Sequence, residues 1–120
     1  MAPVTMGKLM AEFLVSEANG YRSREAVTVV AAADLEPGTI LGRITANGNY
    51  VRHDAGAADG SEVEAGILLE AIASGETDSR TIIARDAEVS GADLTYEAGA
   101  DQAQIDASNA ALEGLGIAVR

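Results

Sequence analysis

Residues 35–44 read LEPGTILGRI and contain the turn on which the predicted fold depends. Pro37 presets the backbone φ angle at the first central position of a turn, and Gly38 accepts the positive φ that a type II turn needs at the second. The residues before the turn (27–30, VTVV) and after it (39–41, TIL) are β-branched or aliphatic, which is typical of strands. The stretch therefore predicts two short strands separated by a tight turn.

A second turn signal follows at Asn47 and Gly48. Asn-Gly is the strongest short hairpin signal, because a type I′ turn needs a positive φ at both central residues. Residues 50–53 (YVRH) have alternating character and complete the hairpin. Three short strands and two tight turns make a compact β unit with little room for a helix.

Further strands and one helix are predicted along the rest of the chain. Apolar runs predict strands, and polar runs rich in small residues predict loops: strands at 13–15, 66–72, 81–85 and 116–119, and loops at 54–62 and 75–79. Asp101 is a suitable N-cap for a helix that continues to about Leu112 and is ended by Gly114 and Gly116. The residues predict one mostly β domain with short strands, tight hairpins and one short C-terminal helix.

The composition argues against several classes of partner. The net charge is −11, and no cluster of Lys and Arg is present to neutralise nucleic-acid phosphates or to contact an anionic membrane surface. No stretch approaches the roughly 20 apolar residues of a membrane span, and the N-terminus does not have the pattern of a signal peptide. The absence of Cys excludes disulfides and thiolate metal sites, and fits synthesis in a reducing cytoplasm. We expect no nucleic-acid partner and no membrane partner.

The sequence contains no catalytic constellation. His53 is the only histidine, and since catalytic and metal sites gather several convergent groups, we expect an exposed residue at a strand end. The acidic residues between 54 and 64 lack the alternating ligands of a calcium loop. No serine lies in a Gly-x-Ser-x-Gly elbow. We therefore predict no catalytic residue, no cofactor and no metal, in a protein that is not an enzyme.

The N-terminal stretch differs from the rest of the chain. Residues 1–25 carry three basic and three acidic side chains, whereas the remainder carries five arginines and sixteen acids. All three Met residues and the only Phe also lie within the first thirteen positions. Two interpretations stay open: an ordinary first strand after a frayed end, or a contact arm that becomes ordered by adding a strand to a partner's sheet.

A series of short motifs in a fixed order resembles the lambda-type bacteriophage head decoration protein family. The motifs are FLV at 13–15, YRSRE at 21–25, LEPGTILG at 35–42, DGS at 59–61, AGIL at 65–68, ARDAEV at 84–89 and LEGLGIAVR at 112–120. Each motif is common by itself. The resemblance lies in their order, from about residue 12 to the end of the chain.

The resemblance implies a β-clip fold and a homotrimer that binds the outer surface of the expanded phage head at quasi-threefold positions. There it would hold neighbouring major capsid proteins together against the pressure of packaged DNA, on a virion whose parts are made in the host cytoplasm. It also implies an N-terminal arm that becomes ordered on the capsid, here residues 1–15, followed by a decoration domain at 16–120. The apolar residues of this arm are the expected capsid contacts: Val4, Met6, Leu9, Phe13 and Leu14.

An alternative function also follows from residues 35–42. The Leu-x-Pro-Gly-x-x-Leu-Gly pattern is similar to β-clip domains that are appended to sugar-acid dehydratases, where they bind a small ligand. The predicted helix and strand at residues 101–120 argue against this alternative.

Overall fold

The computed structural model describes residues 13–18 and 22–120. These residues form a mostly β domain with one short C-terminal α-helix, which confirms the predicted fold class. The elements are β1 (Leu14–Glu17), β2 (Arg24–Val30), β3 (Ile40–Arg43), β4 (Tyr50–Arg52), β5 (Glu64–Leu68), β6 (Thr77–Ile83), β7 (Ala87–Val89), a 3₁₀ turn (Gly91–Asp93), α1 (Gln102–Gly114) and β8 (Ile117–Val119).

Five strands close into a small barrel in the order β2-β4-β3-β5-β6. All neighbours in the barrel are antiparallel except β2 and β4, which are parallel and meet at Val29 and Tyr50. The longest pairing joins β2 to β6 over seven residue pairs. A closed barrel leaves few unpaired strand edges, so little of its backbone is open to a partner.

The other three strands form a separate sheet in the order β1-β7-β8. β1 is antiparallel to β7, and β8 is parallel to β7. The central position of β7 leaves β1 and β8 as the two edge strands of this sheet. Helix α1 packs against β8 and β5 and so connects the sheet to the barrel.

The pairing of β3 with β5 separates two hydrophobic cores. Ile40 and Ile67 face the first core, whereas Leu41 and Leu68 face the second, as expected when side chains alternate along a strand. We call the first the helix-side core (Phe13, Ile40, Ile67, Leu69, Ile83, Ala87, Val89, Leu94, Leu112, Ile117). The second is the barrel core (Val29, Ala31, Leu35, Leu41, Leu68, Ile72, Ile82, Ala84).

The turn predicted at Pro37 and Gly38 is confirmed. Gly38 has a φ of +95°, and the Thr39 amide donates to the Glu36 carbonyl oxygen at 3.2 Å, which closes a four-residue turn. The turn does not join a hairpin, however, because β2 pairs with β4 and β6 and not with β3. The three predicted strands are nevertheless neighbours in the barrel, in the order β2-β4-β3.

The hairpin predicted at Asn47 and Gly48 is present between β3 and β4, but its turn is not type I′. Gly48 has a φ of +75°, but Asn47 does not have the positive φ that a type I′ turn also needs. In the part of the chain that the structure describes, Asp86 is the one non-glycine residue with a positive φ. The loop is longer than two residues, since the Gly48 amide donates to Ile44 O and the Ile44 amide donates to Asn49 O, both at 2.8 Å. Asn47 contributes through its side chain, whose Oδ1 accepts from the Asn49 amide at 3.0 Å.

The helix prediction is confirmed, and several strand boundaries differ from those predicted. Asp101 caps α1, and its side chain and that of Gln104 form a reciprocal capping box. β6 begins at Thr77, inside the predicted loop at 75–79, because polar residues of this stretch pair with β2. β5 ends at Leu68, earlier than predicted, although Ile72 still forms an isolated bridge with Leu35.

Candidate functional site

Phe13 belongs to the folded domain. Its side chain is 1% exposed in the helix-side core, and its carbonyl oxygen accepts from the Ser90 amide at 2.7 Å. Its Cδ1 lies 3.6 Å from the position that a Cβ on Gly38 would occupy, so the ring packs beside the Pro-Gly turn. The prediction that Phe13 contacts the capsid is corrected, because a side chain buried in this way has no surface to offer a partner.

The start of the domain therefore lies before residue 16. Leu14 pairs with Val89 in the β1–β7 ladder and is half-buried against the helix-side core. The predicted division between arm and domain at residue 15 cuts through β1, and the segment available as an arm ends at residue 12. The other three predicted contacts, Val4, Met6 and Leu9, lie outside the described residues.

Val15 is an exposed apolar side chain at this edge of the fold. Its side chain is 59% exposed on β1, which pairs with β7 on one side and is an edge strand on the other. An edge strand presents unpaired backbone N–H and C=O groups, which another chain can extend. Val15 lies inside the predicted arm but is not among the predicted contacts, since the direction of its side chain depends on the pairing of β1.

The C-terminal residue lies next to the start of β1. The Arg120 amide donates to Val89 O at 2.8 Å, and its carbonyl oxygen accepts from the Gly91 amide at 3.1 Å. The Phe13 carbonyl oxygen accepts a hydrogen bond from the amide of Ser90, which lies between Val89 and Gly91. Residues 13 and 120 therefore flank the same short segment, at one end of the β1-β7-β8 sheet.

A chain of polar contacts crosses this sheet. Glu88 on β7 accepts from Arg120 Nε at 2.9 Å and from Ser16 Oγ on β1 at 3.0 Å. The Arg120 hydrogen bond, with a smaller contribution from Ser16, holds the pKa of Glu88 below its usual value. These contacts tie both edge strands to the central strand.

Most of the basic side chains are already engaged within the molecule. Of the seven arginines in the described residues, five form ion pairs: Arg22 with Asp86, Arg24 with Glu17, Arg80 with Asp78, Arg85 with Glu25, and Arg120 with Glu88. The excess charge of the described residues is therefore that of carboxylates. A surface with this charge repels nucleic-acid phosphates and favours partners of neutral or basic character.

His53 is buried, so its prediction as an exposed residue was wrong. It is 4% exposed, and its Nε2 lies 3.0 Å from Glu62 O and 3.4 Å from Glu64 Oε1. His53 borders a small cavity together with residues of the loop after β4, of β5 and of α1, including Ser108. These segments are distant in sequence, which is why the local pattern around residue 53 gave no signal of burial.

The residues predicted as structural turns lie where the backbone turns, and none of them lines a site. Across residues 13–18 and 22–120, no group of His, Asp or Glu side chains is arranged to hold a metal ion. In the same residues, no helix combines the length and the apolar character that crossing a membrane requires.

Comparison with known proteins gives one match over nearly the whole chain. A family model described as "Bacteriophage lambda head decoration protein D" matches residues 3–117. The match includes the segment before β1, both sheets and α1. A search of the curated proteins found no match.

Proposed function

Because this chain belongs to the bacteriophage lambda head decoration protein D family, we propose that it binds the outer surface of the expanded phage head as a homotrimer at quasi-threefold positions. The family is one of structural proteins of the phage head. The proposed partner is the major capsid protein, which the trimers hold together against the pressure of packaged DNA. The observation that carries the proposal is the family match over residues 3–117.

The sugar-acid accessory domain is not retained as a second function. The family match extends through α1 and into β8, the part of the chain that already argued against that alternative. No observation on the described residues favours a small sugar acid as the ligand.

The proposed grip is made by residues 1–12, with Val4, Met6 and Leu9 as the apolar contacts. Burying three such side chains contributes roughly 5–9 kcal/mol, at about 1.5–3 kcal/mol each. Ordering about twelve residues costs on the order of 12–24 kcal/mol of backbone entropy. Side-chain burial alone therefore does not hold the arm, and hydrogen bonds from strand addition and the joint action of several arms must supply the rest.

The anchoring of Phe13 supports this mechanism. An arm transmits force only if its root is fixed, and here the root is a buried aromatic ring with a backbone hydrogen bond to Ser90. β1 continues from this root as an edge strand, so a partner strand that pairs with the arm meets an unpaired edge at the same place.

The test is a deletion of residues 2–12, which removes the proposed arm and keeps Phe13 and β1. We expect the shortened chain to remain folded and trimeric, as measured by circular dichroism and sedimentation, and to lose attachment to cognate expanded shells in a pelleting assay. A triple change of Val4, Met6 and Leu9 to serine is expected to lose attachment without shortening the chain.

The matched control replaces Ala2 and Thr5 by serine, which alters the same segment but none of the apolar contacts. This control is expected to attach as the unaltered chain does. Normal attachment of the deletion variant would remove the arm from the mechanism, and failure of the unaltered protein to attach to expanded shells would overturn the proposed function.

A further inference from the structure

A groove lies between the segment that precedes the Pro-Gly turn and the segment that joins β5 to β6. It has a volume of about 530 Å³, within the range of roughly 300–1,000 Å³ that is usual for ligand sites. Its floor is apolar, because Leu35 and Ile72 of the barrel core line it. The other lining residues are Asp34, Glu36, Ala71, Ala73, Glu76 and Arg80. The groove therefore combines an apolar floor with a charged rim.

The two walls of the groove are joined by hydrogen bonds. The Leu35 amide donates to Ile72 O at 2.9 Å, and the Ile72 amide donates to Leu35 O at 3.0 Å. Arg80 Nε donates to Ala71 O at 2.9 Å and fixes the far wall to β6. The groove is thus built before anything occupies it, which lowers the cost of binding.

The rim of the groove is negatively charged. It carries three carboxylates, those of Asp34, Glu36 and Glu76, and one guanidinium. That guanidinium, on Arg80, is already engaged, since its Nη1 lies 2.8 Å from Oδ2 of Asp78. A segment that fits the groove should therefore carry a positive charge beside apolar side chains.

Residues 1–12 (MAPVTMGKLMAE) have this character. Lys8 is the only lysine of the chain, and apolar side chains lie on both sides of it: Met6, Leu9 and Met10. The described part of a second copy is a poorer source of positive charge, since five of its seven arginines already form ion pairs. The occupant that the sequence supplies is therefore the arm.

The arm begins close to the groove. The Phe13 ring packs beside the Pro-Gly turn, with its Cδ1 3.6 Å from the position that a Cβ on Gly38 would occupy. Leu35 lies three residues before Gly38, so at most about 11 Å of chain separates the two. Lys8 lies five residues before Phe13, and an extended chain of that length spans about 17 Å. The arm is therefore long enough to bring Lys8 to the groove of its own chain.

We propose that residues 6–10 (MGKLM) lie in this groove of their own chain when the protein is not attached to a shell. The Lys8 ammonium lies against the carboxylates of Glu36 and Glu76, and the Leu9 side chain covers the apolar floor. A short tether gives the arm an effective concentration in the millimolar range, so a contact of millimolar strength is enough to hold it. The docking itself does not rest on the proposed function, whereas its effect on attachment does.

Docking is tested by nuclear magnetic resonance of ¹³C-labelled methionine methyl groups. All three methionines lie within residues 1–12, so these signals report on the arm alone. We expect the Met6 and Met10 signals to differ from those of a peptide of residues 1–12. Ala73→Leu fills the groove at an exposed lining residue without removing a charge, and is expected to return both signals to the peptide positions.

The matched control is Ala103→Leu, which adds the same bulk at an exposed position on α1 and is expected to leave the methionine signals unchanged. Signals at the peptide positions in the unaltered chain would overturn the proposal. So would shifted signals that do not respond to Ala73→Leu, because the arm would then be held somewhere else.

The site is tested by coupling with a water-soluble carbodiimide, which joins an amine and a carboxylate in direct contact as an amide. Since Lys8 is the only lysine, mass spectrometry identifies every product in which its side chain takes part. We expect a product within one chain that joins Lys8 to Glu36 or Glu76, with a lower yield in Ala73→Leu. No Lys8 product, a product between two chains, or coupling to other carboxylates alone would each overturn the proposal.

The effect on attachment is tested with cognate expanded shells. A groove that holds the arm competes with the shell, and the apparent affinity falls by the fraction of arm that is undocked. If the arm is docked for about four-fifths of the time, Ala73→Leu should strengthen attachment about fivefold, whereas Ala103→Leu should not change it. Equal attachment of the two variants would show that the shell does not compete with the groove, and that part of the inference would be wrong.

The two proposals fail in different ways. If the unaltered protein ignores the shells, the proposed function is wrong, and the methionine signals still decide whether the arm docks. If the unaltered protein attaches to the shells and its methionine signals are those of the peptide, the inference is wrong while the proposed function stands.

Discussion

Replacing Phe13 by alanine tests whether the folded domain begins at this residue. The ring is 1% exposed and packs in the helix-side core with Ile40, Val89 and Leu94. Removing a buried Phe ring costs about 3–5 kcal/mol, because the lost transfer free energy and the cavity both count. The lower end of this range, about 3 kcal/mol, is the smallest loss expected, because the bond from Ser90 and the β1 pairing hold the backbone in place and oppose collapse of the cavity.

The assay is urea unfolding followed by far-ultraviolet circular dichroism at a fixed protomer concentration, since the stability of an oligomer depends on that concentration. A loss of about 3 kcal/mol from a typical total of 5–15 kcal/mol lowers the urea midpoint clearly and leaves the slope unchanged. Val15→Ala is the matched control: the side chain lies two residues away, is 59% exposed, and is expected to change the stability by no more than about 0.5 kcal/mol. Equal effects of the two changes would refute the reasoning, because Phe13 would then belong to the arm.

Three further changes test the turn and an ion pair. Gly38→Ala forces a Cβ into a positive φ of +95° and to within 2.7 Å of Asp93 O, so we expect a loss of roughly 2–5 kcal/mol in thermal or urea unfolding. Gly75→Ala has a similar φ of +83° but meets open space, so it is expected to cost only the strain of about 1–2 kcal/mol, and equal losses would contradict the clash. Glu17→Gln removes a carboxylate whose pKa is lowered chiefly by its hydrogen bonds with Arg24. A lowered pKa of Glu17 stabilises the fold above the unfolded-state value near 4.3, and this stabilisation is lost as the pH falls through the folded-state value. We therefore expect Glu17→Gln to lower the free energy of unfolding by a solvent-screened amount of about 1 kcal/mol at neutral pH and not to lower it in acid. A loss of stability that does not change with pH would contradict this.

Features set by a few adjacent residues were predictable from the sequence. The Pro37-Gly38 turn depends on one fixed φ, one positive φ and a hydrogen bond across four residues. The start of α1 depends on Asp101 and Gln104, whose side chains bond each other's backbone amides. In both cases the structure-determining contacts lie within four positions along the chain, so the pattern of residue types contains them.

Features set by distant pairing were not predictable in the same way. The β-branched and aliphatic character of residues 27–30 identifies a strand but not its neighbour β6, which lies some fifty residues later. Thr77 lies in a strand because β2 supplies its hydrogen bonds, although its own sequence is that of a loop. The burial of His53 likewise depends on Glu62, Glu64 and α1, and the sequence places none of them beside it.

The two-core arrangement connects Phe13 to the barrel through β3 and β5. Ile40 and Ile67 pack with Phe13 in the helix-side core, while Leu41 and Leu68, their neighbours along the strands, form part of the barrel core. Because packed interiors transmit displacement with little compression, a pull on residue 12 reaches the barrel through the Phe13 ring. In the proposed mechanism, the attachment to a shell is limited by the weaker of two connections, that of the arm to the shell and that of Phe13 to its core. It follows that Phe13→Ala should reduce the heat resistance of decorated shells even where the attached amount is unchanged, whereas Val15→Ala, which leaves the proposed arm and the Phe13 anchor intact, should not.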